Sequence, residues 1–416
     1  MERTTCVVVG GGPAGMVVGL ILARAGIHVT VLEKHADFLR DFRGDTIHPT
    51  TLELLDELGL IERFAAMPHN RVEEVRIPLE DGSTLRVGDL RRLRHPYPYI
   101  AMAPQWDFLN LLAEAGEAEP TFQLRMETEV TGLLRDGDRV TGVRCRRYGA
   151  AAAEPEYELR ADLTIAADGR ESLVRREAGL PVREFPVNAD AWWFRLPTDG
   201  KVGETLMPRI VDGRFYVVIP RDGYLQIAHL IPKGADERLR ARGVQVLRTE
   251  VAAAIPEAAE AARQLELADV KVLDVRVNRL RRWYADGLLC IGDAAHAMSP
   301  IGGVGVNLAV QDAVAAAGRL AGPLQAGTAS TRDSRAVQRR RMFPTWATQT
   351  MQRGMHRGLD RVIEGGRGFR VPRQLQTLLR AVPQLTWVPA RLVGIGALPE
   401  HAPRFARRQW TPARSG

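Results

Sequence analysis

The chain is poor in cysteine, in aromatic residues and in unbroken apolar runs. Its three cysteines, Cys6, Cys145 and Cys290, lie far apart and form no Cys-x-x-Cys pair. That spacing excludes dithiol redox chemistry and offers no thiolate metal set, so no metal site is assigned. Two of the three fall inside apolar strand patterns and read as small core residues. The longest apolar runs are broken by Gly, Arg or Asp before bilayer-spanning length, so no integral membrane segment is expected. The first residues enter a strand at once, without the charged lead and apolar core of a signal peptide, and the chain reads as cytoplasmic. No internal repeat and no low-complexity linker is present.

Acidic residues are the minority, 50 Asp and Glu against 57 Lys and Arg, for a net charge of +7. The basic excess is mostly arginine and dispersed, which reads as solvated surface, with no nucleic-acid partner expected. The run Arg339 to Arg341 is read the same way, as an exposed helix face. With 416 residues, 45% of them hydrophobic and 26% charged, the chain has ordinary globular composition and length for two or three domains.

The organising stretch is VVVGGGPAG, Val7 to Gly15. Cys6 to Val9 reads as a buried strand, the glycines as a tight turn, and Met16 to Ala25 as a helix stopped by Gly26. The spacing Gly10-x-Gly12-x-x-Gly15 puts glycine wherever a side chain would obstruct the turn, a pyrophosphate or helix-to-strand packing. Pro13 and Ala14 open the helix, whose free N–H groups and dipole favour phosphate. A second strand, HVTVLE, ends on Glu33, which is placed to accept hydrogen bonds from a ribose diol, with Lys34 beside it. These features predict adenine dinucleotide binding.

Further on, TTLELLDELGLIERF reads as one helix framed by Pro49 and Gly59, and Val72 to Val87 as strands turning at Asp81-Gly82. QWDFLNLLAEAGE reads as a helix, and Arg125 to Arg147 as paired strands turning at Asp136 to Asp138. ELRADLTIAADG follows as a strand ending on Asp168-Gly169. From Pro186 to about Arg276 short strands alternate with one Ala-rich helix between Glu237 and Ala268. GLLCIGDAAHAMSPIGGVGVNLAVQDAVAAAGRL then reads as strand, glycine-rich loop and long helix, before a helical tail rich in Arg and Pro.

Three separated stretches, the N-terminal glycine turn with Glu33, DGRESLVR (Asp168 to Arg175) and GDAAHAMSPIGGVGVN, together resemble the flavoprotein aromatic hydroxylases of the para-hydroxybenzoate hydroxylase type. The resemblance covers roughly residues 1 to 330. It implies an α/β fold: a Rossmann-like FAD-binding domain (1–72, 100–182 and 277–330), an inserted mixed β-sheet substrate domain (73–99 and 183–276) and a helical C-terminal region (331–416). It also implies non-covalent FAD, reduction by NAD(P)H, and transfer of oxygen from dioxygen, through a flavin hydroperoxide, to an aromatic or polyketide-like small molecule. A monomer or homodimer fits this class, and nothing distinguishes NADPH from NADH, although Lys34 and Arg40 could meet a phosphate.

The resemblance assigns Gly292 and Asp293 to the ribitol chain, Asp168 to the phosphate region, and Arg43 and Gln105 to further FAD contacts. Pro300 would lie against the flavin ring, with Gly303 and Gly305 exposing backbone ahead of a helix beginning near Val306. Val306 and Asn307 would then donate to the pyrimidine ring. His296 is expected to be a structural part of its motif, and His48 is the one histidine nominated as substrate acid or base. Trp192, Trp193, Phe194, Phe215, Tyr216, Tyr224, Gln226 and His229 lie on expected strands, where alternate members would face a pocket. The absence of Trp-x-Trp-x-Ile-Pro argues against a tryptophan-type halogenase, and the absence of a second glycine fingerprint argues against two-domain enzymes with a resident nicotinamide. An FAD-dependent oxidase, dehydrogenase or reductase on the same scaffold is the alternative, and a non-catalytic flavin-binding partner the rival from another class.

Overall fold

The computed structural model of the chain describes residues 2–39, 46–79, 81–149, 155–198, 207–221, 223–365 and 371–409. Its main sheet runs, in spatial order, Tyr284–Ala285, Leu288–Cys290, Tyr157–Ala166, Glu2–Val9, Val29–Leu32 and Phe122–Arg125. The last five of these strands are mutually parallel. The hairpin Thr128–Asp136 and Arg139–Arg147 adds antiparallel strands alongside the start of Tyr157–Ala166. Cys6, Val7 and Val8 are fully buried, as the unbroken apolar run of a parallel strand covered on both faces requires.

Parallel strands bring their carboxyl ends to one edge, and here Val9, Leu32, Ala166 and Cys290 share it. From Glu2–Val9 the chain moves first to the strand on one side and later to the strand on the other. That reversal opens the crevice in which α/β sheets bind ligands. The helix Pro13–Arg24, buried from Ala14 to Ala23, covers one face of this sheet and packs on the helix Val304–Gln325.

The second sheet is antiparallel, in the order Met207–Val211, Arg214–Arg221, Tyr224–Pro232, Ala189–Pro197 and Lys271–Leu273. Its register sets Trp192 opposite His229 and His229 opposite Tyr216, so these three share a face. That outer face packs on helices Val244–Ala254 and Ala259–Gln264. The inner face carries Trp193, Phe215, Val217 and Ile219, and packs towards Ile100, Met102, Leu359 and Ile301.

Two helix expectations differ from the structure. TTLELLDELGLIERF is split into Pro49–Glu57 and Ile61–Ala65, because Gly59 takes a φ of +72°. The Ala-rich helix after Glu237 is three helices, Asp236–Arg240, Val244–Ala254 and Ala259–Gln264, interrupted at Gly243, with φ +84°, and at Pro256. The hairpin Glu74–Pro78 and Thr84–Asp89 forms a two-stranded sheet of its own. The tail contributes helices Thr331–Gly365, Arg373–Ala381 and Trp387–Gly394. The segment Ile301–Gln325 reaches membrane-crossing length with a mean hydropathy of 1.2, which the sequence reading did not anticipate, yet 67% of that window is buried inside the molecule.

Candidate functional site

The glycine turn leaves the central strand at Gly10, whose φ is +104°. A Cβ there would meet the Ala167 carbonyl oxygen at 2.5 Å, and one on Gly15 would meet the Gly10 carbonyl oxygen at 1.9 Å. Gly10 therefore holds the turn against the end of the strand beside it, and Gly15 holds the helix start against the turn. Gly12 is different: a Cβ there would touch nothing within 4 Å. It is the N-cap of Pro13–Arg24 and takes no side-chain cap, so the first-turn amides face open space. Space plus free donors at a helix start is a cradle for a pyrophosphate.

Asp168 and Asp293 flank this cradle. Asp168 follows the strand Tyr157–Ala166, and one carboxylate oxygen accepts from the Val174 amide at 3.2 Å while the other is buried without a partner. Burial pushes its carboxyl above the ordinary carboxylate range, against the hydrogen bonds from Ser172 and the Val174 amide. Ser172 caps the helix Leu173–Glu177, accepting from the Arg175 amide at 2.9 Å, as its sequence position predicts. Gly292 turns with φ +57°, and a Cβ there would lie 3.1 Å from the Cβ of Ala309 and 3.3 Å from that of Ala14. Asp293 is thereby set beside the helix start of the glycine turn, where Arg170 donates to it at 3.3 Å.

The segment Ser299 to Gly303 is held from two sides. On one side Thr46 Oγ1 donates to the Gly303 carbonyl at 2.7 Å, and His48 Nε2 lies 3.0 Å from the same oxygen. On the other, Gln352 donates to the carbonyls of Ser299 at 2.8 Å and Ile301 at 3.0 Å, and His356 Nε2 lies 2.7 Å from Ser299 Oγ. Gly302 and Gly303 take φ of +82° and +63°, and a Cβ on Gly303 would come within 2.6 Å of Thr46 Oγ1. The helix starts at Val304, two residues ahead of the expected Val306, because Gly303 itself supplies the left-handed cap. Its unpaired first-turn amides are those of Val304, Gly305 and Val306. Asn307 turns its side chain inward, accepting from the Thr50 and Thr51 hydroxyls, both at 2.8 Å.

The remaining expected residues are placed as follows. Glu33 is half-buried and accepts from the amides of Gly11 at 3.1 Å and His35 at 3.0 Å, so it braces the turn. Lys34 is exposed, its ammonium 5.8 Å from the Tyr148 ring centroid. Gln105 begins the helix Gln105–Glu117, behind the strand Ile100–Met102 that pairs with Thr46–Ile47, in the same corner as Gly303. Arg40 and Arg43 lie outside the described residues. Pro300 is half-buried at the head of the turn.

His48 corrects an expectation. It is fully buried, and its two ring nitrogens each lie 3.0 Å from a backbone carbonyl, that of Val393 and that of Gly303. Burial lowers its pKa to about 4, against the pull of the two carbonyls. The neutral ring has one N–H and donates to one of these carbonyls at a time, and it is lodged between the turn and the tail rather than open to a substrate as acid or base.

The sequence reading missed the polar stripe of the helix Thr331–Gly365. Arg341, Thr345, Gln349, Gln352 and His356 recur at helical spacing and are all buried, Arg341 being 1% exposed. This corrects the solvated face expected for Arg341. Its Nε donates to Asp312 Oδ1 at 2.9 Å, and the other Asp312 oxygen takes His296 Nε2 at 2.5 Å and the Gly292 amide at 3.2 Å. Burial opposes the charge on Asp312, but His296 and Arg341 hold its pKa below the ordinary value. His296 is thus a structural member of its motif. The signal in the sequence was the period of the stripe, masked by its polar composition.

A family model described as an FAD binding domain matches residues 3–350. The 6-methylpretetramide 4-monooxygenase of Streptomyces rimosus is 36% identical over 369 residues, which make up 86% of this chain and 86% of that protein. A rifampicin monooxygenase of Streptomyces venezuelae is 28% identical over 333 residues, and this chain spans only 62% of its length. The solved OxyS anhydrotetracycline hydroxylase from Streptomyces rimosus shares the fold with a TM-score of 0.74 at 24% identity, over 97% of this chain and 77% of that one. A glycine cradle at the switch point, two carboxylates on its rim and a braced helix start agree with those similarities, and the chain belongs to the FAD-binding-domain family of flavoprotein monooxygenases.

Proposed function

We propose that the chain is a single-component, FAD-dependent monooxygenase that uses NAD(P)H and dioxygen to hydroxylate or epoxidise an aromatic or polyketide-like small molecule. The observation that carries this reading is the 36% identity to a pretetramide monooxygenase across 86% of both chains. The residues fit FAD on their own chemistry: an open Gly12, an unpaired Asp168 oxygen and a helix start at Gly303 all await a ligand.

FAD, when bound, supplies the two-electron chemistry with dioxygen. The protein's part is to hold and to shield. Gly10, Gly12, Pro13, Ala14 and Gly15 would cradle the pyrophosphate, with Glu33 and Asp293 accepting from the ribose and the ribitol. The amides of Val304, Gly305 and Val306 would face negative charge on the pyrimidine end, with Pro300 and Gly303 shaping that surface. Ile301 joins the turn to the apolar inner face of the antiparallel sheet, which keeps water away. With His48 buried between two carbonyls, this reading assigns no protein base, so the substrate would be intrinsically electron-rich.

The test uses FAD-loaded protein, NADPH or NADH, and isotopically labelled dioxygen. Nicotinamide oxidation stimulated by an electron-rich aromatic, with one labelled oxygen in the product, is the expected result. Turnover without label in the product overturns the reading in favour of an oxidase or dehydrogenase.

A further inference from the structure

The inner face of the antiparallel sheet carries Trp193, Phe215, Val217, Ile219, Ala228 and Leu230, with Gln226 diagonal to Trp193 and the exposed Arg195 opposite Gln226 at its margin. Register sets Trp193 opposite Ala228 and Gln226 opposite Arg195, so Trp193 and Gln226 point the same way from adjacent strands. Gln226 is 2% exposed, and neither its Nε2 nor the buried Nε1 of Trp193 has a hydrogen-bond partner. Folded proteins leave few buried donors unpaired, and two side by side mark a place where an acceptor arrives from outside the chain. Tyr216 and His229 also hold unpaired buried polar atoms, but they lie on the opposite face, against the helices.

The surroundings say what the acceptor belongs to. Trp193 and Val217 pack in one cluster with Phe215, Leu230 and Ile301 of the turn, so the wall that carries the donors continues to the place assigned to the flavin ring. An indole N–H can only donate, so its partner must offer a lone pair. An apolar wall with two donors suits a largely hydrocarbon ring system bearing a carbonyl or phenolic oxygen.

We propose that Trp193 Nε1 and Gln226 Nε2 together grip one oxygen of a ring substrate, making a carbonyl or phenolic group on the sheet side the feature that selects it. This rests on the oxygenase reading for the identity of the bound molecule as substrate, and not for the binding itself. The ring edge projecting towards Ile301 is then the edge presented for reaction.

The experiment titrates FAD-loaded protein with 1-tetralone, whose carbonyl can only accept, and with tetralin, the same skeleton without oxygen. Calorimetry and perturbation of the flavin absorbance give the dissociation constants. The wild-type chain should prefer tetralone by about tenfold or more, since a site built around donors rejects the analogue that leaves them unpaired. Trp193→Phe and Gln226→Leu should each bring that preference close to unity while leaving tetralin affinity and flavin content unchanged. A wild-type chain with no preference, or variants that keep it, overturns the proposal. The labelled-oxygen experiment reads the oxygenase assignment separately, so either can fail while the other stands.

Discussion

Arg341 Nε donates to Asp312 Oδ1 at 2.9 Å, and both side chains are sealed from solvent. The pair joins the tail helix to the helix that follows the Ser299–Gly303 turn. Through its second oxygen, Asp312 also holds the Gly292 amide, one residue from Asp293. Removing one partner of a buried ion pair strands the other charge, at a cost of about 3–5 kcal/mol. Arg341→Met and Asp312→Asn should each lower thermal stability by that order and lower the flavin-to-protein ratio with it. Melting curves and absorbance on the same samples check both effects.

Glycine replacements in the N-terminal turn should separate folding from cofactor binding. Gly15→Ala forces a Cβ against a backbone oxygen and should prevent stable folding. Gly12→Ala meets no protein atom, so its melting temperature without cofactor should match wild type while FAD affinity falls by about tenfold or more, the size of one lost charge-assisted contact. A Gly12→Ala protein that purifies fully yellow would place the pyrophosphate elsewhere.

Asp293→Ala should weaken FAD retention strongly and Glu33→Ala moderately, by about 10–100-fold for the first. Equilibrium dialysis against FAD measures both. Full flavin occupancy in both variants would contradict the assigned positions.

Stability should fall on acidification because of two buried histidines. His48 has a folded pKa of about 4 and His229 of about 3, against the ordinary 6.5. Both are neutral in the folded protein, so below about pH 6.5 the unfolded chain takes up protons that the folded chain cannot, and stability is lost as the pH drops towards those values. For His48 the full loss amounts to about 3 kcal/mol. Denaturant titrations between pH 7 and pH 4 should show the slope in wild type and a shallower one in His48→Gln; an unchanged slope would mean the ring is not buried as described.

The sequence made legible what depends on local backbone demands. Gly10, Gly15, Gly292 and Gly303 are each required by a positive φ or a close approach, and such demands leave a signature in the chain itself. The strands of the antiparallel sheet were legible from their alternation, and Ser172 from its capping position. What stayed hidden depends on partners distant in sequence. Polar residues on the helix Thr331–Gly365 look solvated until Asp312 and the Ser299 carbonyl are known to lie against them. His48 looked reactive for the same reason, since the Val393 carbonyl that occupies its second nitrogen lies 345 residues away. The two sheet faces could be separated only by register, which assigned Trp192 to the helices and Trp193 to the interior.

The tail also closes on the start of the chain: Arg24 Nη1 donates to the Ala406 carbonyl at 2.9 Å, and the Arg408 amide to that of Glu57 at 3.1 Å. During synthesis the strand Glu2–Val9 gains its neighbours Val29–Leu32 and Tyr157–Ala166 well before the residues that lock Arg24 are made, whereas Tyr157–Ala166 must itself wait for Leu288–Cys290. The helix that carries Arg24 is therefore among the last parts to be locked, and the nascent chain carries the apolar end of Tyr157–Ala166 with one edge unpaired until Leu288–Cys290 follows. Ribosome-bound fragments ending before residue 288 should need chaperone cover in a way the finished protein does not.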